Sequence, residues 1–335
     1  MIFNTSIDAI EYVLPKKRQT VEEVSLISGI SSDELEENLG YFERYITEKN
    51  ESFLDLSEQA ALKLMDKTSI SSHEIDYIIF AYSGIYSSDQ IRSPASKIQS
   101  VIKAKNAFCF EITNGCNSLN AAIHLADQIL SGKNKKSTIL VIASDTLSKY
   151  VDYTRPNVMH SYMYSDGAAA LLISNYGNAI NLVSSSLKTD GKYADISRIV
   201  YKKNNNTQND IFPTMETALT KDLKNELLDD LVSNYIAVIS ECICKVNMTI
   251  NEIQHIFLSR NSKGIYNTVL KYFNIESDRT FQNGNLFGHV GPIDSIIALS
   301  HSIKMSSVRF GDYILLSGTG VGFHWGSHLL QFNKI

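Results

Sequence analysis

The sequence predicts an α/β protein built from one motif used twice, and three observations carry that prediction. Residues 70–84, ISSHEIDYIIFAYSG, and 248–262, MTINEIQHIFLSRNS, each pass from a polar turn through Glu-Ile into a hydrophobic strand ending in small polar residues. Further on, TNGCNSLNAAIHLADQIL and FGHVGPIDSIIALSHSIKM each set a small-residue turn before a helical pattern. Each copy then has an apolar strand, STILVIASD or DYILLSGTG, and a closing one, AAALLIS or SHLLQF. Strand, helix, strand, strand, given twice at so long a period, indicates a duplicated α/β domain rather than a solenoid. Strands separated by helices imply right-handed crossovers and largely parallel sheets.

Taken in order, the apolar alternation of NAFCFEI reads as a strand leading to Cys116. Leu119, Ile123, Ala126 and Leu130 recur at spacings of three and four, which predicts a helix from about Asn117 to Leu130. ILVIA suits a central strand covered on both faces. Residues 200–212, VYKKNNNTQNDIF, form a polar, asparagine-rich stretch expected to be the loop crossing between halves. In the second copy, Pro292 reads as the first residue of a helix, which puts Asp294 in its first turn. Cys116 begins the helix of the first copy and His289 precedes that of the second, so pseudo-symmetric packing would bring the two turns together where the halves meet.

A chain of 335 residues can bury a large core, and 44% hydrophobic with 20% charged residues is ordinary for a globular protein. The net charge of −5 gives no general electrostatic reason to bind nucleic acid or anionic membrane. PKKRQT and GKNKKS are short basic runs in expected turns. No apolar run is long enough to span a bilayer, and MIFNTSIDAIEYVLPKKRQ lacks a signal-peptide layout. Cys109, Cys116, Cys242 and Cys244 fit neither a disulfide framework nor a CxxC metal site, which points to a reduced, cytoplasmic protein without structural zinc. Cys242 and Cys244, two apart in an expected helix, face different ways. At a strand-to-helix junction the Cys116 thiol meets unpaired amides and the positive end of the helix dipole, both of which favour thiolate. A buried cysteine acting as a small apolar residue is the alternative, and a nucleophile also needs a base and an oxyanion site.

The order of EITNGCNSLNAA, YSDGAAALLIS, LKTDGKYADIS, GHVGPIDSI and SGTGVGFHWGS resembles β-ketoacyl-acyl-carrier-protein synthase III, of the thiolase superfamily, from about IDAIEYVLP to HWGSHLLQF. The resemblance implies a thiolase-like, duplicated αβαβα five-layered fold and a homodimer. Its halves would be residues 1–175, with the cysteine, and 176–335, with the histidine and the glycine-rich turn. It also implies that Cys116 is acylated by a thioester of coenzyme A or acyl carrier protein, with no permanently bound cofactor or metal. Two departures stand out. Ser259 occupies the place of the family histidine, and His289 that of the family asparagine. A serine hydroxyl cannot replace imidazole as base or cation at neutral pH, so the usual decarboxylating constellation is missing. A Cys–His pair resembles instead the acyl-transferring branch found in natural-product pathways. There the imidazole shares the thiol proton and then deprotonates the acceptor. Asp294 either orients that imidazole as a third member or serves the helix dipole alone.

By the same resemblance, the backbone amide of Val321 joins that of Cys116 as oxyanion donor, with Gly320 and Gly322 allowing close approach. GTGVGFHWG is not a dinucleotide site, lacking a following crossover helix with an acidic residue. His324 and His328 read as surface or strand residues. Asp166 reads as a turn carboxylate. His160, in a tyrosine- and methionine-rich loop bordering the family's acyl pocket, is a lining residue or second base. His124 is read as structural, and His73, His255 and His301 show no ligand pattern. Ser93 stands where the family projects an aromatic side chain across the dimer, which would enlarge the acyl chamber. Leu35 and Asn38 replace the adenine-clamping tryptophan and arginine, favouring a carrier-protein donor over free coenzyme A. Ser259, Arg260, Asn261 and the GVG turn are expected to shape the phosphopantetheine tunnel, Arg260 on the cofactor side. The leading function is acyl transfer through acyl-Cys116 to a small-molecule or carrier-bound acceptor. The alternatives are carbon–carbon condensation or a silent partner subunit of a heterodimer, the last at odds with a cysteine facing a histidine.

Overall fold

The computed structural model describes residues 5–85, 93–203, 211–217, 221–260, 263–281 and 284–333. The chain opens with β1 (Ser6–Val13), β2 (Arg18–Thr20), α1 (Val21–Ser28), α2 (Ser32–Leu39), β3 (Glu43–Tyr45) and α3 (Phe53–Thr68). Then follow β4 (Tyr77–Tyr82), α4 (Pro94–Ile102), β5 (Phe108–Thr113), α5 (Ser118–Ser131), β6 (Thr138–Thr146) and β7 (Asp166–Ser174). The remainder is β8 (Ile180–Thr189), β9 (Ser197–Lys203), β10 (Ile211–Thr217), α6 (Lys221–Cys244), β11 (His255–Leu258), α7 (Lys263–Tyr272), α8 (Asp294–Lys304), β12 (Tyr313–Gly320) and β13 (His324–Phe332).

Helix ends follow local chemistry. Thr20 with Glu23 and Ser52 with Asp55 form capping boxes at the starts of α1 and α3. Gly29, at φ +73°, stops α1 in the left-handed region. The helix expected over 117–130 is α5, which buries Leu119, Ala122, Ile123, Ala126 and Leu130 on one face. Its N-cap Asn117 makes no side-chain capping bond, unlike Thr20 or Ser52, so the Asn117 side chain leaves the first amides of α5 beside Cys116 uncapped.

Nine strands form one sheet in the order β11-β12-β13-β8-β1-β7-β6-β4-β5. β6 and β7 are buried at every position, as the run ILVIA requires. The expectation of largely parallel strands is corrected. β4 with β5, β4 with β6 and β11 with β12 are parallel. The pairs β6–β7, β7–β1, β1–β8, β8–β13 and β13–β12 are antiparallel. For β12 and β13 the physical reason is connection length: three residues join them, a hairpin that permits only antiparallel pairing.

β1 and β8 meet through only two residue pairs, Ser6–Asn181 and Ile7–Ile180, so the sheet folds there into two layers. α5 and α8 lie between the layers, in a core that also takes side chains from β1, β4, β6, β7, β12 and β13. α3 and α4 cover the outside of the first layer, and α6 and α7 the outside of the second. Helix, sheet, helix, sheet, helix is the αβαβα stacking expected. The polar stretch 200–212 does not read as a plain loop: its ends lie in β9 and β10, an antiparallel pair, with 204–210 outside the described residues. All four cysteines are free; Cys242 is buried and Cys244 exposed, so they face different ways on α6.

Candidate active site

β5 ends at Thr113, and the turn Asn114–Gly115–Cys116 delivers the chain to α5. Gly115 has φ +57°. The turn is pinned by Asn117 N–H to the Asn114 carbonyl (3.1 Å) and by Asn117 Nδ2 to Asn114 Oδ1 (2.9 Å). The turn between β12 and β13 presses directly onto it. A Cβ on Gly115 would lie 2.7 Å from the Val321 nitrogen, and one on Gly320 would lie 2.6 Å from that of Asn117 and 2.9 Å from that of Cys116. Neither glycine can carry a side chain without moving backbone.

His289 comes from the other half, between Gly288 (φ +64°) and the turn into α8. Its backbone is held against the residues before β7: His289 N–H donates to the Met163 carbonyl (2.7 Å), and Ser165 N–H to the His289 carbonyl (2.8 Å). The imidazole is hydrogen-bonded to Asp294 at Nδ1–Oδ2 2.6 Å, and its other edge meets the Cys116 thiol. Asp294 also accepts from the Arg260 amide (2.6 Å) and the Val290 amide (2.7 Å), which fixes its carboxylate. Burial pulls the His289 pKa down, but the Asp294 carboxylate and the Cys116 sulfur outweigh it and hold the imidazole well above its ordinary range. Cysteine, histidine and aspartate are thus neighbours in one site, with His289 hydrogen-bonded to Asp294, although Asp294 also sits in the first turn of α8.

A cavity of about 320 Å³ opens onto the cysteine. Cys116, Tyr164, Met215, Arg198, Val321 and His324 are among its lining residues, so β9 and β10 supply one wall. Tyr164 lies tilted against His289 (ring centroids 5.6 Å apart) and is buried. Arg198 shares Glu216 with Arg155 and Lys202. Ser83, at the cavity edge, is held by buried Asp145 through Ser83 Oγ–Oδ1 (2.7 Å) and Ser83 N–Oδ2 (3.0 Å). Burial pushes the Asp145 carboxyl up to about 7 against those two bonds.

The other expected site residues divide. Gly320 lies against the Cys116 turn and Val321 lines the cavity, whereas Gly322 follows them in the chain and packs on the His324 ring. His160 is exposed and does not line the cavity; its ring stands 6.5 Å from Tyr164, which separates it from His289. Ser259 is buried beside Tyr235 OH (3.4 Å) and accepts from Thr319 N–H (3.3 Å), away from the cavity wall. Arg260 turns its guanidinium to the Gly40 carbonyl (2.6 Å) and the Tyr266 ring, and its amide is what reaches the triad. Ser93 caps α4 and donates to Glu111 (2.6 Å), work that explains a small hydroxyl residue there. Asn261 lies outside the described residues. Asp166 accepts from Thr47 and Ser148 and is a structural anchor. His328 is buried between Ser185 Oγ (2.8 Å) and the Asn120 carbonyl (3.0 Å). His324, expected at the surface or in a strand, starts β13 and also lines the cavity. Tyr164 and the β9–β10 wall carried no motif, and only the tyrosine-rich composition before β7 pointed that way.

Family models for 3-oxoacyl-[acyl-carrier-protein] synthase III match residues 110–191, and its C-terminal model matches 243–332. The chain is 30% identical over 329 residues to the β-ketoacyl-[acyl-carrier-protein] synthase III of Clostridium tetani, covering 95% of this chain and 96% of that one. It is 25% identical over 319 residues to the enzyme of that name from Wolbachia pipientis, with 95% and 96% covered. Among solved structures, 3-oxoacyl-[acyl-carrier-protein] synthase III from Aquifex aeolicus superposes with a TM-score of 0.83 at 25% identity, over 98% of this chain and 100% of that one. A priming β-ketosynthase from a polyketide biosynthetic pathway, at 14% identity and TM-score 0.85 over 99% and 97%, shares the fold. The chain belongs to the 3-oxoacyl-[acyl-carrier-protein] synthase III family and is a transferase with the thiolase-like fold.

Proposed function

We propose that the protein transfers an acyl group from a carrier-protein or coenzyme A thioester, through acyl-Cys116, to an acceptor in a biosynthetic pathway of the secondary-metabolite type. The observation that carries the reading is the chain Cys116–His289–Asp294, with serine at position 259 held outside the cavity. In loading, His289 takes the Cys116 proton, and the sulfur attacks the thioester carbonyl. The donor thiol then leaves with the proton from the imidazolium. In discharge, the acceptor gives its proton to His289, bonds to the acyl carbon and expels the Cys116 sulfur, restoring the ion pair. The amides of Cys116 and Val321 receive the carbonyl oxygen in both steps. Gly320, Gly322 and Arg198 shape the entry, and Asp294 orients the imidazole.

The working unit is a homodimer of chains with halves 1–175 and 176–335, acting in the cytoplasm with acyl carrier protein as partner. Support for the dimer is the edge strand β5, which ends the sheet and leaves Phe108 66% exposed. Carbon–carbon condensation is the second reading, and the names of the relatives favour it. Two measurements decide. Intact-mass analysis after incubation with acyl-carrier protein is expected to show one adduct, absent from Cys116→Ala; an adduct persisting in that variant removes the assignment. Labelled malonyl-carrier protein is expected to release no carbon dioxide with acyl-Cys116; release dependent on both restores the condensing reading.

A further inference from the structure

His324 contributes an imidazole to the wall of the Cys116 cavity. It stands at the first position of β13, next to the turn that presses on the nucleophile. Its Nδ1 is engaged by Thr189 Oγ1 at 2.9 Å. A Cβ on Gly322 would lie 2.3 Å from Nε2, so the ring occupies space that only glycine two residues earlier leaves open. Among the described residues Nε2 has no hydrogen-bond partner, and it is not one of the buried unpaired atoms, so it is free to bond a ligand on a residue that lines the cavity.

We propose, resting on the acyl-Cys116 reading above, that His324 faces the acceptor: its Nε2 hydrogen-bonds a hydroxyl carried by the acceptor beside the attacking atom. The choice of a hydroxyl follows from the tautomers. If Nδ1–H donates to Thr189, Nε2 is an acceptor; if the Thr189 hydroxyl donates, Nε2 carries the proton. A hydroxyl satisfies either, whereas an ammonium, a carboxylate or an alkyl group satisfies one or neither. Burial lowers the His324 pKa, which keeps the ring neutral and both roles open, in contrast to His289.

No other balance changes. The attacking nitrogen or oxygen bonds to the acyl carbon, the carbon–sulfur pair returns to Cys116, and the proton goes to His289; His324 neither gains nor loses one. The test loads Cys116 from the N-acetylcysteamine thioester of butyrate, with loading followed by intact mass. Single-turnover discharge is then compared for ethanolamine and n-propylamine at equal free-amine concentration. These probes differ in one hydroxyl. The protein is expected to discharge to ethanolamine about tenfold faster, the size of one hydrogen bond to a poorly solvated partner. His324→Phe should bring the ratio to that of the amines in solution, and His324→Gln should restore part of it. Because the readout is a ratio within each variant, a general loss of activity cancels. Should His324→Phe fail to fold, Thr189→Val, which frees the ring, is expected to reduce the same ratio. Loading with a ratio unchanged in His324→Phe and Thr189→Val overturns the proposal alone. Failure of the unaltered protein to load from any acyl thioester overturns the acyl-Cys116 reading and this proposal with it.

Discussion

His289 is buried yet held above its ordinary pKa, because the Asp294 carboxylate lies 2.6 Å from Nδ1 and the Cys116 sulfur faces the other edge. Once Cys116 is acylated only Asp294 still raises the imidazole pKa, and a neutral imidazole accepts the acceptor's proton, so discharge falls as pH drops through the value that Asp294 sets. Asp294→Asn removes the main cause of the rise. The acid limb of the discharge profile should therefore move to lower pH, while the plateau falls through lost orientation. A limb that stays in place would show that Asp294 serves α8 alone. His289→Ala should still load Cys116 slowly, since the helix terminus and the backbone amides survive, and should discharge about 10²–10⁴-fold more slowly. The measurement is the pair of rates, loading and discharge; unimpaired discharge removes His289 as the base. Asp145 gives a separate signature. Its folded pKa of about 7 lies above the ordinary 3.8, so the native state holds a proton that the unfolded chain has lost. Stability from this group is full below the ordinary value and declines as pH rises toward 7. His289, also raised, loses its contribution as pH climbs from 6.5 through its own folded value. Denaturation midpoints across pH should show Asp145→Asn flattening the lower window and leaving the upper one.

Elements explain why some of this was visible in sequence and some not. α5 was legible because Leu119, Ile123, Ala126 and Leu130 repeat the 3.6-residue period, and all four are buried. The glycines at 115, 320 and 322 were legible as turn residues, but their partners were not: contact between two turns more than 200 positions apart has no local signature. β9 and β10 were hidden because Lys202, Glu216 and Arg198 pair across the hairpin, giving a polar composition that reads as loop although the backbone is extended. His324 was hidden by its position on a strand, where the face it presents depends on the pairing with β8. Gly320→Ala tests the contact between turns. Its Cβ would sit 2.5–2.9 Å from three backbone atoms, which cannot rotate away as a flexible side chain would. Overpacking of this kind costs about 1–3 kcal/mol. Chemical denaturation should show that loss, and loading should fall further than stability predicts because the Cys116 and Val321 amides separate. A variant that loads normally would place the oxyanion site elsewhere.

At the scale of the molecule, the duplicated pattern foretold the αβαβα stacking, but the strand directions did not follow from it. Helices between strands announce parallel pairs only where the helix truly bridges them, as α4 does from β4 to β5; β7 and β13 return beside their predecessors and run antiparallel. What the duplication leaves unequal is the sheet's two ends. β11, at one end, has four residues and is mostly buried. β5, at the other, has six residues and alternates exposed and half-buried positions, with Phe108 and Phe110 among them. A short, covered edge resists pairing, whereas a longer apolar edge invites it. β5 also leads directly to Cys116, so whatever pairs there braces the nucleophile turn. Two chains joined at β5 would make one sheet through both molecules and give each active site a rigid flank. Sedimentation should then report twice the chain mass of 37.5 kDa. Phe108→Lys, which places like charges on facing edges, should move the population toward 37.5 kDa and slow acyl loading in proportion to the monomer formed, with recovery at high protein concentration. A monomer in the unaltered protein would remove the dimer, and a dimer indifferent to a charge on β5 would locate the interface on another face.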